Sequence, residues 1–155
     1  MRTTYKVLAY TICVLVGVQA ASHAWASAGL GSWVEGGGVL DSTAFESDES
    51  LFPEMAGFGI HAMNGMMIIP FVSLILLVIA LISRTRKAMQ WAGLVLLLVG
   101  VQIFLGFASF GVAALAILHG LNALALFTCA LTAGRIGMRV DAPAVAAAAP
   151  AVEGS

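Results

Sequence analysis

The sequence predicts an all-α integral membrane protein, a four-helix bundle built from two parallel-repeat helical hairpins. Three observations predict it. Of the 155 residues, 61% are hydrophobic and 10% charged, whereas soluble domains carry about 25% charged residues. Four stretches, about 7–26, 58–82, 89–108 and 112–134, supply the roughly 20 apolar residues that one crossing of a bilayer needs. Two motifs also recur in the same order: Val16-Gly17-Val18-Gln19 precedes His61 and Asn64, and Val99-Gly100-Val101-Gln102 precedes His119 and Asn122.

The first span follows Arg2 and Lys6 and runs into a Gly- and Ser-rich stretch, which reads as the start of an outer loop over 27–56. Residues 1–28 also have the outline of a signal peptide, with Ala24-Trp25-Ala26 or Ala26-Ser27-Ala28 as cleavage sites. The Val-Gly-Val-Gln tetrad shared with the third span argues for a retained helix. The loop holds Glu35, Asp41, Glu46, Asp48, Glu49 and Glu54 and no base, while Phe45, Leu51 and Phe52 are suited to rest on the membrane surface. Ser50, Pro53 and Glu54 mark the start of the second helix by a capping residue type, a fixed φ and a first-turn carboxylate. Pro70, within that span, removes one backbone donor and predicts a kink. The third and fourth spans are joined around Ser109 to Gly111, so they are antiparallel neighbours. Residues 140–155 form an Ala/Pro tail without a periodic apolar face and are expected to be disordered.

All seven basic residues lie before the first span (Arg2, Lys6), between the second and third (Arg84, Arg86, Lys87) or after the fourth (Arg135, Arg139). The positive-inside rule then predicts a multi-pass protein of the plasma membrane with both termini cytoplasmic and the acidic loop outside. Spans one and three run outward and spans two and four inward, so the repeat axis lies along the membrane normal. The tetrads are offset by 83 residues and the His-x-x-Asn motifs by 58; the 25-residue difference is the acidic loop of the first hairpin. Cys13 and Cys129 read as inert buried thiols. The absence of a CxxCH motif excludes covalent c-type haem attachment.

His61 and Asn64 share a helix face, as do His119 and Asn122. Strongly polar side chains within spans face the bundle interior and are functional candidates by default. At ~1.5 Å rise per residue, His119 lies ~24 Å from Arg135 and His23 ~26 Å from Lys6, so these histidines converge in the outer half. Two facing neutral imidazoles suit axial ligation of haem iron, and His61 and His119 are the expected ligands of one haem b. Gly57, Gly59, Gly65, Gly106 and Gly120 would leave it room, with Met63, Met66, Met67, Phe104, Phe107 and Leu118 as an apolar wall. Gln19 and Gln102 are placed to accept an imidazole N–H, or to pair with each other or with the asparagines. His23 breaks the symmetry, since its repeat counterpart is Gly106; it suits a haem propionate or the outer interface beside Trp25 better than a third ligand position. Glu54 is the one acid within reach of an outer-side site, and reads chiefly as a solvated carboxylate. The competing expectation is that these polar groups only bond helix to helix, a contribution well under 2 kcal/mol each.

One histidine on the second span and one on the fourth, both towards the outer side, resembles one four-helix half of haem A synthase. From Lys6 to Arg139 the chain also resembles a family of small four-span actinobacterial membrane proteins. The resemblance implies His61 and His119 as iron ligands. Where the synthase has a Glu before and an Arg after the span-two histidine, this chain has Phe58 and Ala62, which argues against hydroxylation of a haem methyl. The function expected is electron transfer near the outer face, with the lipid bilayer as surroundings and a quinol or another redox partner on the outer side. Nothing in the composition suits nucleic acid. The alternative is a haem-free scaffold or assembly subunit of a membrane complex, whose acidic loop binds a partner.

Overall fold

The computed structural model describes residues 1–41 and 50–137. Phe45, Glu46, Asp48 and Glu49 of the acidic loop, Arg139 and the tail over 140–155 lie outside the described residues. Four helices make the fold: α1 (Arg2–Glu35), α2 (Pro53–Ser83), α3 (Arg86–Gly111) and α4 (Leu115–Ile136), each long and apolar enough to cross a membrane. The chain is thus an all-α bundle of multi-pass membrane type.

Its helices pack in a ring: α1 on α2, α2 on α3, α3 on α4, and α4 back on α1. Chain neighbours are antiparallel, joined by residues 84–85 between α2 and α3 and by 112–114 between α3 and α4. Arg84 closes α2 in the left-handed conformation, at φ 52°. One end of the bundle therefore holds Met1, the α2–α3 connection and the end of α4; we call it the terminal end. There the Tyr5 hydroxyl donates to the Ala88 carbonyl at 3.0 Å, and Gly137 is so close to the Tyr5 ring that a Cβ would overlap it. The histidines occupy the opposite half.

The expected repeat is visible in which residues are buried. On α1 these include Tyr5, Ala9 and Ile12, and on α3 Ala88, Ala92 and Val95, at the offset of 83. Tyr5 and Ala88 are repeat partners, and they touch across the bundle. Residues related by a two-fold axis meet where that axis passes, so a pseudo-two-fold runs along the bundle.

α2 departs from a plain repeat of α4. It opens as a 3-10 turn (Pro53–Met55), continues as α-helix (Ala56–Met63), widens to a π turn (Asn64–Ile68) and resumes as α-helix (Ile69–Ser83). Up to the first residue of the turn, His61 and Asn64 match His119 and Asn122 at an offset of 58. Below it, buried Ile69, Ser73, Leu76 and Ala80 match buried Leu126, Ala130, Ala133 and Gly137 at an offset of 57. The π turn is thus one extra residue, and it lets both parts of α2 keep an inward face despite the insertion. Pro70 sits at the start of the lower segment. Pro70, which has no N–H to continue the regular ladder, stands next to this widened turn.

Two local expectations change. α1 continues as helix through Glu35, so the first part of the stretch read as loop 27–56 is helical. Close packing explains it. A Cβ on Gly29 would overlap the Glu54 side chain, and one on Gly57 would overlap the Ser22 carbonyl. Small residues let α1 and the top of α2 touch, and that contact outweighs the low helix propensity of glycine. The Ser50 side chain does not cap α2; its hydroxyl donates to the Phe52 carbonyl at 2.9 Å, and Pro53 begins the helix after an extended Phe52.

Candidate functional site

Each hairpin folds its polar residues into the same clasp. In the first, His61 Nδ1 donates to the Gln19 carbonyl at 3.0 Å. Asn64 Nδ2 donates to the Leu15 carbonyl at 2.9 Å and to Gln19 Oε1 at 3.2 Å. In the second, His119 Nδ1 donates to the Gln102 carbonyl at 3.1 Å, and Asn122 Nδ2 donates to the Leu98 carbonyl at 2.9 Å and to Gln102 Oε1 at 2.6 Å. Leu15 and Leu98 stand at the repeat offset of 83, so all three bonds are duplicated residue for residue. Helix spacing makes this possible: Leu15 and Gln19 lie one turn apart on α1, opposite a His and an Asn one turn apart on α2.

The expectation for the glutamines is corrected in one respect. Their backbone carbonyls, not their side chains, take the imidazole N–H, while the side-chain oxygens pair with the asparagines. Gln102 Nε2 also donates to the His119 carbonyl at 3.0 Å. Gly65 accommodates the Gln19 side chain, since a Cβ there would overlap Gln19 Nε2. Gly65 is therefore filled by protein and is not the open space expected for a cofactor. Gly59 and Gly120 face open space, and Gly106 lies beside the His119 ring, where a Cβ would come within 3.3 Å of Cε1.

With Nδ1 donating to a carbonyl, each imidazole is the tautomer that leaves Nε2 as an acceptor. Neither Nε2 has a hydrogen-bond partner among the described residues. The His61 and His119 rings face each other across the bundle diagonal, with centroids 6.3 Å apart and planes inclined at 45°. They are repeat partners, so the pseudo-axis passes between them as it passes between Tyr5 and Ala88. Asn64 is buried, and its Oδ1 has no partner; Ser73 Oγ is likewise buried and unpaired.

His23 lies beside this pair on the first hairpin only. Its ring meets His61 edge-on at 5.0 Å and Phe58 edge-on at 5.5 Å, and its Nδ1 shares a hydrogen bond with Ser27 Oγ at 3.2 Å. Among the described residues no group of three or more His, Cys, Asp or Glu side chains is arranged to hold a metal ion, so the three histidines do not form a three-ligand centre. Glu54 lies against Gly29 of α1, and among the described residues no hydrogen bond or ion pair joins it to the histidines. Of the expected apolar wall, Met63, Met66, Met67, Phe104, Phe107 and Leu118 are all exposed side chains. Cys13 and Cys129 are free thiols.

Comparison of the chain with protein-family models, curated proteins and solved structures finds no match. The site is therefore interpreted from its own geometry. Sequence reasoning missed two features of it. The clasp carbonyls of Leu15 and Leu98 carry no side-chain signal. The contact of His23 with Phe58 did have one, because an aromatic three residues before His61 shares its helix face.

Proposed function

We propose that the protein is a b-type cytochrome of the plasma membrane, holding one haem between His61 and His119 and passing single electrons near the outer face, with both termini cytoplasmic. One observation carries this reading: two repeat-related imidazoles face each other across the bundle diagonal, each fixed through Nδ1 and each with an unpartnered Nε2. His61 and His119 would hold the iron through their Nε2 atoms, each about 2 Å from it. The 6.3 Å between their ring centroids is compatible with that role. Bound haem iron supplies one-electron chemistry, with a potential tuned by its ligands and their surroundings. The chain's own part is to hold each ring in the right tautomer through a carbonyl, which also raises the basicity of the ligating nitrogen. The Asn–Gln bonds fix the helices on which those carbonyls lie.

The test is a reduced-minus-oxidised absorption spectrum of protein purified from haem-replete cells. A low-spin Soret and α band, lost in His119→Ala and in His61→Ala, is the expected outcome; a colourless wild-type protein overturns the reading. One observation favours a second reading. Every Gln and Asn of the clasps makes an interhelical bond, as it would in a haem-free scaffold whose acidic loop contacts a partner subunit.

A further inference from the structure

An exposed imidazole on a membrane-spanning helix is costly unless something pairs with it. His23 is such a group, exposed on α1 within the half of the bundle that holds His61 and His119. Three neighbours define its surroundings. Ser27, one turn away, bonds Nδ1; the rings of Phe58 of α2 and of His61 each meet the imidazole in a T-shaped contact. No hydrogen bond reaches His23 Nε2 among the described residues. Repeat symmetry isolates the feature further, because the matching position on α3 is Gly106.

The charges nearby say what can bind. Every described Lys and Arg (Arg2, Lys6, Arg84, Arg86, Lys87, Arg135) lies at or near the terminal end of a helix, away from His23. A propionate or a phosphate headgroup would find no cation to neutralise it. A neutral ring bearing hydroxyl or carbonyl groups meets what is present: an aromatic ring and one imidazole nitrogen. The Ser27 hydroxyl can accept from Nδ1–H or donate to an unprotonated Nδ1. Nε2 is then an acceptor in the first arrangement and a donor in the second. The pair can therefore accept from a phenolic O–H or donate to a quinone carbonyl without any change of charge.

We propose that His23, Ser27 and Phe58 form the headgroup site of a lipid-soluble quinol and its quinone, opening to the membrane beside His61. The proposal deepens the cytochrome reading by naming where its electron donor docks, but binding at His23 can be measured whether or not haem is present.

The experiment uses the full chain in phosphatidylcholine nanodiscs, labelled by a short-tailed azido-quinone under light, with the attached peptide mapped by mass spectrometry. Label on the peptides holding His23 or Phe58, displaced by excess unmodified naphthoquinol, supports the site. His23→Phe should reduce that labelling at least 10-fold while the helical circular dichroism stays at the wild-type level. Ser27→Ala, which removes the hydrogen bond to His23, should weaken displacement by about 2- to 10-fold, the worth of one hydrogen bond. Label placed elsewhere, or undiminished in both variants, overturns the site even in a protein with a full haem spectrum. A colourless protein that still labels at His23 keeps the headgroup site and removes only the haem.

Discussion

At the scale of single residues, the two clasps use the same atoms in unequal surroundings. Asn64 is buried and leaves Oδ1 unpaired, whereas Asn122 is partly exposed. Truncating either removes two donated bonds, and interhelical hydrogen bonds in membranes average about 0.6 kcal/mol with a maximum near 1.7 kcal/mol. Asn64→Ala and Asn122→Ala should each lower stability by about 1–2 kcal/mol in a denaturation titration in mixed micelles. Asn64→Ala should be the milder of the two, because it also removes the unpaired buried oxygen. An Asn122→Ala protein as stable as wild type would show that the clasp contributes nothing. Much of this scale was legible in the sequence, because Gln, His and Asn are rare in apolar spans and their repetition marked them. The roles of the glutamine side chains were not legible: a backbone carbonyl and a side-chain amide offer the same acceptor chemistry, and only the helix register chooses between them.

At the scale of elements, α2 carries the one extra residue of the repeat, in the π turn beside Pro70. If that turn is a tolerated insertion, removing an exposed residue from it should restore a regular helix without turning the inward face. Deletion of Met67 combined with Pro70→Ala should keep the unfolding midpoint close to that of Pro70→Ala alone. Deletion of Leu124, in the uninterrupted α4, should rotate Leu126, Ala130 and Ala133 by about 100° off the core and abolish the folded state. Equal damage from both deletions, read by the same micelle titration, would refute the insertion. Pro70 gave a sequence signal for an irregularity here. The extra residue itself was hidden, because the His-x-x-Asn offset samples α2 only up to the first residue of the turn. The helical end of α1 was hidden for another reason: Gly29 looks like a loop residue until it is seen against Glu54 of α2.

At the scale of the whole molecule, the four crossings were legible from composition, since apolar runs of this length have no other stable use. The proposed direction of crossing rests on the bases at the terminal end. In a Cys13→Ser/Cys129→Ser background, a cysteine replacing Gly37 should react with an impermeant maleimide added to intact cells. One replacing Thr85 should react only after permeabilisation, and the reverse pattern would invert the topology. The acidic loop over 27–56 is the partner surface of the alternative reading, and its Glu46, Asp48 and Glu49 lie outside the described residues.

The contact of Tyr5 with Ala88 has a bearing on traffic through the molecule. The ring is fully buried, its hydroxyl is bonded, and Gly137 closes against it. The bundle is thus stoppered on its own axis at the terminal end. Along that axis a solute entering from the terminal end meets the buried Tyr5 ring before the imidazoles.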